Sequence, residues 1–289
     1  MGTRRRGDGV VFRRVAALLP RRVLHWLLVT GYCSLLFTAC QPAPPPTLPP
    51  VTPSPPPVTL HIGLDESAAA LIPLLTSPPV AVEWVLANNS TLLEDLTAGQ
   101  VDAILTHVIP PDEDRWFNPV ALDGLVIVVH PDNPVTTLTL AEIQAIFSGK
   151  IGNWAVVGGR DEPIVLVSRE RGSGARAIFN DRVMGAQRLA ITALVAPDQV
   201  RVMADVAENA AAIGYGTMSG LTDGVRPLTI DGYFPNPTNT ASQNYPLTVP
   251  LYFLAPTAEE PQGELRAFLA WLQSPETQTI LGEKFGRVR

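Results

Sequence analysis

The sequence has little cysteine. Only two of its 289 residues are cysteines, Cys33 and Cys40, and both lie within the first 40 positions. The rest of the chain therefore lacks the thiols needed for a disulfide, a zinc–thiolate site or a cysteine nucleophile. These three features are excluded from the part of the chain that we expect to fold.

The usual marks of metal and nucleic-acid sites are also lacking. Beyond residue 60 the histidines are isolated singles without metal-ligand spacing, namely His61, His107 and His130, and we expect structural roles for them. No basic face with interleaved aromatic side chains occurs, so nucleic-acid binding is not expected. We predict no metal and no cofactor.

Residues 1–39 have the pattern of a secretory signal peptide. They contain seven arginines and one acid, and they end in an apolar run of seventeen residues, 23–39, that closes with small side chains. Because seventeen residues is near the lower limit for a membrane-spanning helix, an uncleaved anchor is the alternative.

The end of this run, LFTAC at residues 36–40, resembles a bacterial lipobox. In such a motif the cysteine is lipidated and becomes the first residue of the mature protein. The resemblance implies that Cys40 carries a lipid. We therefore expect an extracytoplasmic lipoprotein on the outer face of the cell membrane.

The next segment, residues 41–58, contains ten prolines in eighteen residues. Such a segment cannot form a helix or a central strand, and it favours an extended polyproline conformation. At about 3.1 Å per residue it would hold the folded part up to about 55 Å from the membrane. We interpret residues 40–58 as the lipidated cysteine followed by a tether.

The formal charge of −6 combines two opposite parts. Removing residues 1–39 leaves 14 basic against 26 acidic residues, a net charge of −12. A body of that charge offers no long-range attraction for an anion. Any anion site must therefore be local.

From residue 59 onward, strand and helix patterns alternate with short turns. The helices expected include 68–75, opened by Asp65, Glu66 and Ser67, and 204–209. This alternation predicts parallel strand pairing and an α/β fold. Two long apolar strand patterns, 119–130 and 245–254, bracket the middle of the chain. This arrangement suits two lobes with a cleft between them. We expect lobe 1 to comprise 59–126 plus 248–289, and lobe 2 to comprise 127–247.

One stretch within the second lobe has the composition of an anion seat. The apolar run 163–167 predicts a buried strand, residues from Ala175 onward predict a helix, and RERGSGA lies between them at 169–175. A small-residue turn before a helix directs backbone N–H groups outward at the positive end of the helix dipole. The alternative is an ordinary N-cap by Ser173, with the arginines on a solvated face.

Several motifs in chain order closely resemble the phosphate-binding subunit of bacterial phosphate ABC transporters. The resemblance covers 120–289 well and 59–118 poorly. It implies a two-lobed type II periplasmic-binding-protein fold, each lobe a mainly parallel sheet flanked by helices. The motifs are 138–140 (LTL), 146–154 (IFSGKIGNW), 158–159 (GG), Arg169 with 172–174 (GSG), 212–215 (AIGY) and 245–247 (YPL).

The resemblance further implies that the protein captures phosphate or a related oxyanion for an ABC importer, without catalysis. Its partners would be the anion, the permease subunits and the membrane, and it would act as a monomer. The implied contacts are the Arg169 guanidinium, the Ser173 hydroxyl and the N–H groups of Gly174 and Ala175. From lobe 1 we expect Ser67, Ser90 and Thr106 to contribute.

The chain departs from the family pattern on the lobe 1 side. The first two turns read LDES at 64–67 and ANNS at 87–90, where the family has Gly-Ser-Thr-type turns. Asp65 and Glu66 would repel a dianion if desolvated beside it; alternatively they point to solvent and cap the helix. Ala175 also stands where the family has threonine, which removes one hydroxyl donor.

Two other functions compete with transport. The altered first lobe and the long tether suit a surface sensor or interaction module that keeps the fold. A serine hydrolase using Ser173 is disfavoured, because Arg171 and Ala175 occupy the outer positions of a Gly-x-Ser-x-Gly elbow. We expect Trp154 and Tyr215 to serve packing rather than ligand contact.

Overall fold

The computed structural model describes residues 58–110 and 114–288. The predicted signal peptide, Cys40 and the tether as far as residue 57 lie outside the described residues. The strands are β1 (Thr59–Asp65), β2 (Ala81–Ala87), β3 (Ala103–Thr106), β4 (Phe117–Val129), β5 (Thr137–Leu138), β6 (Val165–Arg169), β7 (Leu194–Ala196), β8 (Ala212–Thr217), β9 (Arg226–Pro227), β10 (Thr229–Ile230) and β11 (Thr248–Leu254).

Seven α-helices and three helical segments of other types connect these strands in the described ranges. The α-helices are α1 (Asn89–Thr97), α2 (Leu140–Phe147), α3 (Gly174–Phe179), α4 (Gln199–Ala207), α5 (Pro237–Ala241), α6 (Gly263–Leu272) and α7 (Pro275–Leu281). The other segments are the 3-10 helices Glu66–Leu74 and Trp154–Val157 and the π-helical turn Asn180–Met184.

The main sheet is organised around β4, which has 13 residues and pairs with different strands along its length. Its first part, 117–124, pairs antiparallel with β11, and its second part, 125–129, pairs antiparallel with β8. The strand order is β2-β1-β3-β11-β4-β8-β6-β7, with β9 added beside β4. The long strand predicted at 119–130 is confirmed.

Parallel pairing occupies the two outer parts of the sheet. β1 pairs in parallel with both β2 and β3, and β6 pairs in parallel with both β7 and β8. In a parallel arrangement the polar residues that follow each strand collect at one edge of the sheet. The predicted α/β class is therefore confirmed, and the carboxyl ends of β1, β3 and β6 become the places to look for a site.

Two large apolar clusters pack on this frame. One includes Phe253 and Phe268 against the β1 side, and the other includes Phe147, Trp154 and Tyr215 against the β8 side. Trp154 and Tyr215 are both fully buried, and the Tyr215 ring stacks on Phe179 at a centroid distance of 4.0 Å. Both residues therefore pack in the core, as predicted.

Three element boundaries differ from the sequence prediction for identifiable reasons. The helix expected over 68–75 is the 3-10 helix Glu66–Leu74, which begins earlier because the Asp65 side chain accepts from Ser67 N, and which contains Pro73. Proline removes a backbone donor, so regular α-helical bonding cannot continue there. β11 begins at Thr248 rather than 245, because Thr248 N bonds to Tyr245 O in a turn.

The remaining difference concerns α4, which begins at Gln199 rather than 204. Asp198 is its N-cap and accepts a hydrogen bond from Arg201 N at 2.7 Å. Within the described ranges, no helix combines the length and apolarity needed to cross a membrane.

Candidate functional site

The anion seat proposed from the sequence, residues 169–175, is a strand–turn–helix junction. β6 ends at Arg169 and α3 begins at Gly174, with Ser173 as the N-cap. The Ser173 hydroxyl accepts a hydrogen bond from Arg176 N at 3.4 Å. The N-cap interpretation of Ser173 is therefore confirmed, and an accepting hydroxyl still has its own proton to donate.

Arg169 lies in the interior, with no exposed surface. Its backbone N–H donates to the hydroxyl of Tyr215 at 3.2 Å, and that hydroxyl lies 2.7 Å from Ser168 Oγ. Burial raises the pKa of Tyr215, so this phenol stays protonated. The neutral phenol thereby fixes the strand end that carries the guanidinium.

The other two arginines of the turn differ from Arg169. Arg176 is partly buried and donates from Nη1 to Ser168 Oγ at 2.6 Å and to Arg169 O at 2.9 Å. Arg171 is exposed. The alternative of three solvated arginines is therefore wrong for Arg169 and Arg176 and right for Arg171.

The Arg169 guanidinium contacts two carboxylates of the chain. Nη2 bonds to Glu66 Oε1, and Nε bonds to Glu170 Oε2 at 3.0 Å. Burial raises the pKa of Glu66, and the Arg169 charge opposes that rise. Arg169 Nη1 has no hydrogen-bond partner among the described residues, so one donor direction of the guanidinium is unused.

Asp65 is 1% exposed and lies beside Gly174 of the seat. Its Oδ1 accepts from Ser67 N at 2.9 Å and from Ser67 Oγ at 2.7 Å. Its Oδ2 faces Gly174 so closely that a β-carbon at Gly174 would overlap it. The alternative in which Asp65 and Glu66 point to solvent is therefore wrong: both turn inward, towards residues more than 100 positions later in the chain.

Ser67 belongs to a buried polar network beside the seat. Its carbonyl accepts from Thr217 Oγ1 at 2.5 Å, and its hydroxyl lies 3.5 Å from His107 Nδ1. On the far side of the imidazole, Nε2 lies 3.5 Å from Asp123 Oδ2, which also accepts from Ser219 Oγ at 2.5 Å. His107 therefore lies between Ser67 and Asp123 in this network, which agrees with the structural role expected for it.

The turn at the start of α1 completes the surroundings of the seat. Ser90 N donates to Gly172 O at 3.2 Å, so this turn contacts the seat through backbone atoms. Thr106 is fully buried and donates to Asn89 Oδ1 at 2.5 Å. Thr106 therefore holds Asn89 in place. The β-carbon of Asn89 lies close to Gly174 of the seat.

Comparison with known proteins identifies the family to which this chain belongs. Residues 67–276 match the model of a family described as a PBP superfamily domain, which is well over half of the chain. The chain belongs to the PBP superfamily. This is a family of solute-binding proteins rather than a class of enzymes, and its two-lobed fold agrees with the sheet described above.

Among curated members of this superfamily, the phosphate-binding protein PstS of Bacillus subtilis (strain 168) is 36% identical over 160 residues, covering 55% of this chain and 52% of that protein. The PstS protein of Pseudomonas aeruginosa (strain PAO1) is 27% identical over 188 residues, covering 56% of this chain and 57% of that protein. The chain thus spans about half the length of the curated relatives it matches.

Two solved structures of the superfamily are similar over most of the described residues. A structure from Clostridium perfringens, named as a phosphate ABC transporter substrate-binding protein with bound phosphate, has a TM-score of 0.74 and 27% identity, covering 80% of this chain and all of that one. A phosphate transport receptor from Vibrio cholerae has a TM-score of 0.66 and 27% identity, covering 79% of this chain and all of that one.

In this PBP-superfamily chain the predicted site residues are brought together to different degrees. Arg169, Ser173, Gly174 and Ala175 form one junction, although the Ala175 side chain is buried in the core. Of the lobe 1 residues, Ser67 reaches the junction through the Asp65 carboxylate. Ser90 reaches it through Gly172 O, and Thr106 only through Asn89.

Sequence reasoning missed several residues around the seat. Thr217, Asp123 and Ser219 gave no local signal, because each contacts a partner more than 90 positions away. Asn89 could have been found, since it follows β2 at the same sheet edge where β1 ends at Asp65. Position at the end of a parallel strand was the available clue.

No group of metal-ligating side chains suited to an ion occurs in the described ranges. A hydrolytic arrangement is not supported at Ser173, whose hydroxyl caps α3 while His107 contacts Ser67 and Asp123 instead. The only nearby serine beside an imidazole, Ser67, already donates its proton to Asp65. The geometry of the described residues suits binding.

Proposed function

We propose that the protein is an extracytoplasmic solute-binding protein that captures phosphate or a related oxyanion for an ABC importer. Lobe 1 comprises 59–126 plus 248–289, lobe 2 comprises 127–247, and the anion binds between them. Arg169, Ser173 and the N–H groups of Gly174 and Ala175 bind it from lobe 2. Ser67, Ser90 and Thr106 support the lobe 1 side.

The observation that carries this proposal is the burial of Arg169 at the Ser173–Gly174 junction. A buried guanidinium needs anionic partners, and its planar fork matches an oxyanion with two parallel hydrogen bonds. One of its terminal nitrogens, Nη1, is unpartnered among the described residues. Arg169 is therefore able to bind a further anionic oxygen without losing its existing contacts to Glu170.

The relatives support the class of ligand. The Bacillus subtilis and Pseudomonas aeruginosa proteins are named for phosphate binding, and the Clostridium perfringens structure is named for bound phosphate. Because this chain matches about half the length of those curated relatives, its ligand and its permease partner are part of the proposal. Within the seat, Arg169, Ser173 and Gly174 are residues that the chain shares with the phosphate-transporter motif.

Isothermal titration calorimetry of the full chain in detergent tests the proposal. Phosphate, sulfate, molybdate and tungstate are titrated separately into protein that has been dialysed free of anions and shown to be folded. Saturable heat from at least one oxyanion is expected. Absence of heat from all four overturns the oxyanion proposal.

We propose that the signal at 1–39 directs export of the protein and that a lipid on Cys40 attaches it to the membrane. Residues 41–58 then separate the folded part from the membrane surface. The protein then acts as a monomer on the outer face of the cell membrane. Mass spectrometry of the N-terminal peptide from membrane fractions is expected to show cleavage before Cys40 and a mass increase on it. A Cys40→Ser variant is expected to leave the membrane fraction; an unmodified, uncleaved peptide would indicate the anchor instead.

A surface sensor or interaction module is the second candidate. Glu66 and Asp65 favour it, because they place negative charge where a dianion would bind. Neighbouring genes for a permease and an ATPase support transport, whereas a neighbouring histidine kinase supports sensing.

A further inference from the structure

The charge of Arg169 is already balanced by the protein itself. Glu66 and Glu170 both contact the guanidinium, and the Arg169 side chain has no exposed surface. Glu170 is the next residue in the chain, so its contact is local. Glu66 follows β1 in the other half of the sheet, 103 positions earlier in the chain, so its contact joins two separate segments.

Asp65 lies at the same connection but makes no hydrogen bond to the seat. Its Oδ1 is used by Ser67, while its Oδ2 faces Gly174 and has no hydrogen-bond partner among the described residues. A buried carboxylate oxygen without a partner is costly. The position of Asp65 is therefore held by its neighbours, and among them Glu66 is the residue with a strong attraction across the site.

Two further contacts run between the same segments. Thr217 Oγ1 donates to Ser67 O, and Ser90 N donates to Gly172 O. Together with the ion pair they connect residues 65–90 to residues 169–217 directly, protein atom to protein atom.

We propose that Glu66 is an internal ligand of Arg169 that occupies part of the anion seat and must be displaced before an anion binds both terminal nitrogens of the guanidinium, Nη1 and Nη2. Glu66 then determines how tightly this site binds, because it competes with every anion for one guanidinium. The inference rests on the proposed function and deepens it, since it concerns what regulates binding at the same site. It also assigns a role to the acidic turn at 64–67.

An internal competitor has a characteristic quantitative effect. It reduces the apparent affinity by the fraction of molecules in which the guanidinium is free, and this factor is the same for all ligands of the site. A pair formed in about nine-tenths of the molecules reduces affinity about tenfold. Glu66→Gln is therefore expected to tighten phosphate and sulfate binding by the same factor, about tenfold.

The matched control is Glu170→Gln. It also removes one negative charge beside Arg169, but it leaves the Glu66–Arg169 contact between the segments in place. Hydrogen–deuterium exchange of the full chain in detergent, in buffer without oxyanions, reports that contact through the amide of Ser90. Wild type and Glu170→Gln are expected to protect this amide equally, and Glu66→Gln is expected to speed its exchange about tenfold.

Two results would overturn the proposal. One is rapid exchange of the Ser90 amide in the wild type that becomes slow only when phosphate is added, since the segments would then need the anion. The other is an equal gain in affinity from both variants with unchanged exchange, since that would show a general charge effect. Glu66→Ala, which also removes the carboxylate from Arg169 and carries the same two expectations, provides a second variant if Glu66→Gln does not fold.

The two proposals fail separately. If no oxyanion binds to the wild type or to any variant, the oxyanion-binding function is wrong. The exchange of the Ser90 amide without anions still decides whether Glu66 holds the segments together.

Discussion

Glu66 and Arg169 form an ion pair although 103 positions separate them in the chain. The glutamate is 27% exposed and the arginine is completely buried, so the pair lies at the inner end of a partly open surface. One partner follows β1 and the other ends β6. The carboxyl ends of two strands from separate parallel sets, β1 beside β3 and β6 beside β8, therefore meet at this contact.

Replacing Arg169 is expected to impair both folding and binding. Arg169→Ala leaves Glu66 and Glu170 without their cation, and removing one partner of a buried pair costs about 3–5 kcal/mol of stability. It is also expected to cost about 2–5 kcal/mol of oxyanion affinity. Urea denaturation and calorimetry measure the two effects.

Arg171→Ala is the matched control for that prediction, because its side chain is exposed two positions along the same turn. Its effect on stability is expected to stay within about 0.5 kcal/mol. Equal losses of affinity for Arg169→Ala and Arg171→Ala would show that the assignment of the anion contact to Arg169 is wrong.

The close approach of Gly174 to Asp65 predicts an intolerance of side chains. A β-carbon at Gly174 would overlap Asp65 Oδ2, so Gly174→Ala is expected to destabilise the protein by about 1–3 kcal/mol. Thermal unfolding monitored by circular dichroism measures the change.

Gly152→Ala is the control for the glycine substitution, because a β-carbon there meets no atom within 4 Å. Combining Gly174→Ala with Asp65→Ser, which keeps a capping hydroxyl, is expected to recover part of the loss. Full additivity of the two substitutions would mean that Asp65 is not what Gly174 avoids.

Thr106 is expected to contribute through its hydroxyl rather than its shape. Thr106→Val leaves the buried Asn89 amide oxygen without this donor, which costs about 1–3 kcal/mol. Thr106→Ser keeps the hydroxyl and is expected to lose less. Equal unfolding midpoints for the two variants in a denaturant titration would contradict this role.

Because the Tyr245 hydroxyl is buried, we expect the free energy of unfolding to fall at alkaline pH. Its hydroxyl donates to Leu125 O at 2.8 Å, and burial raises the pKa of this phenol far above its ordinary value of 10.0. Because the folded protein holds the proton more tightly than the unfolded chain, this contribution is complete below about pH 10 and declines as the pH rises above that value.

The alkaline effect is measurable as the free energy of unfolding between pH 9 and 11, a range set by the ordinary tyrosine pKa of about 10. Tyr245→Phe is expected to be less stable at pH 8 and to lose less stability above pH 10 than the wild type. Tyr233→Phe, at an exposed tyrosine, is the control and is expected to retain the wild-type profile.

The local parts of this molecule were predictable from sequence. The strand, the serine N-cap and the helix around residues 169–179 all follow from nearby residues, as does the long strand 117–129. The burial of Arg169 was not evident, because it depends on Tyr215, 46 positions later. The inward orientation of Asp65 and Glu66 depends on Gly174 and Arg169 and was left open for the same reason.

The 3-10 form of residues 66–74 shows the opposite situation. Pro73 and the Asp65–Ser67 capping contact are both local, and both were visible in the sequence. The helix was nevertheless predicted over 68–75, with Asp65, Glu66 and Ser67 placed before it as the residues that open it. A capping residue directly after a strand should fix such a boundary.

The division of β4 has a consequence for how the protein unfolds. Residues 117–124 belong to one half of the sheet and residues 125–129 to the other, with no loop between them. Loss of either half strips hydrogen-bond partners from a strand that the other half still requires. The described body should therefore melt in a single cooperative transition, with equal calorimetric and van't Hoff enthalpies, despite having two hydrophobic cores.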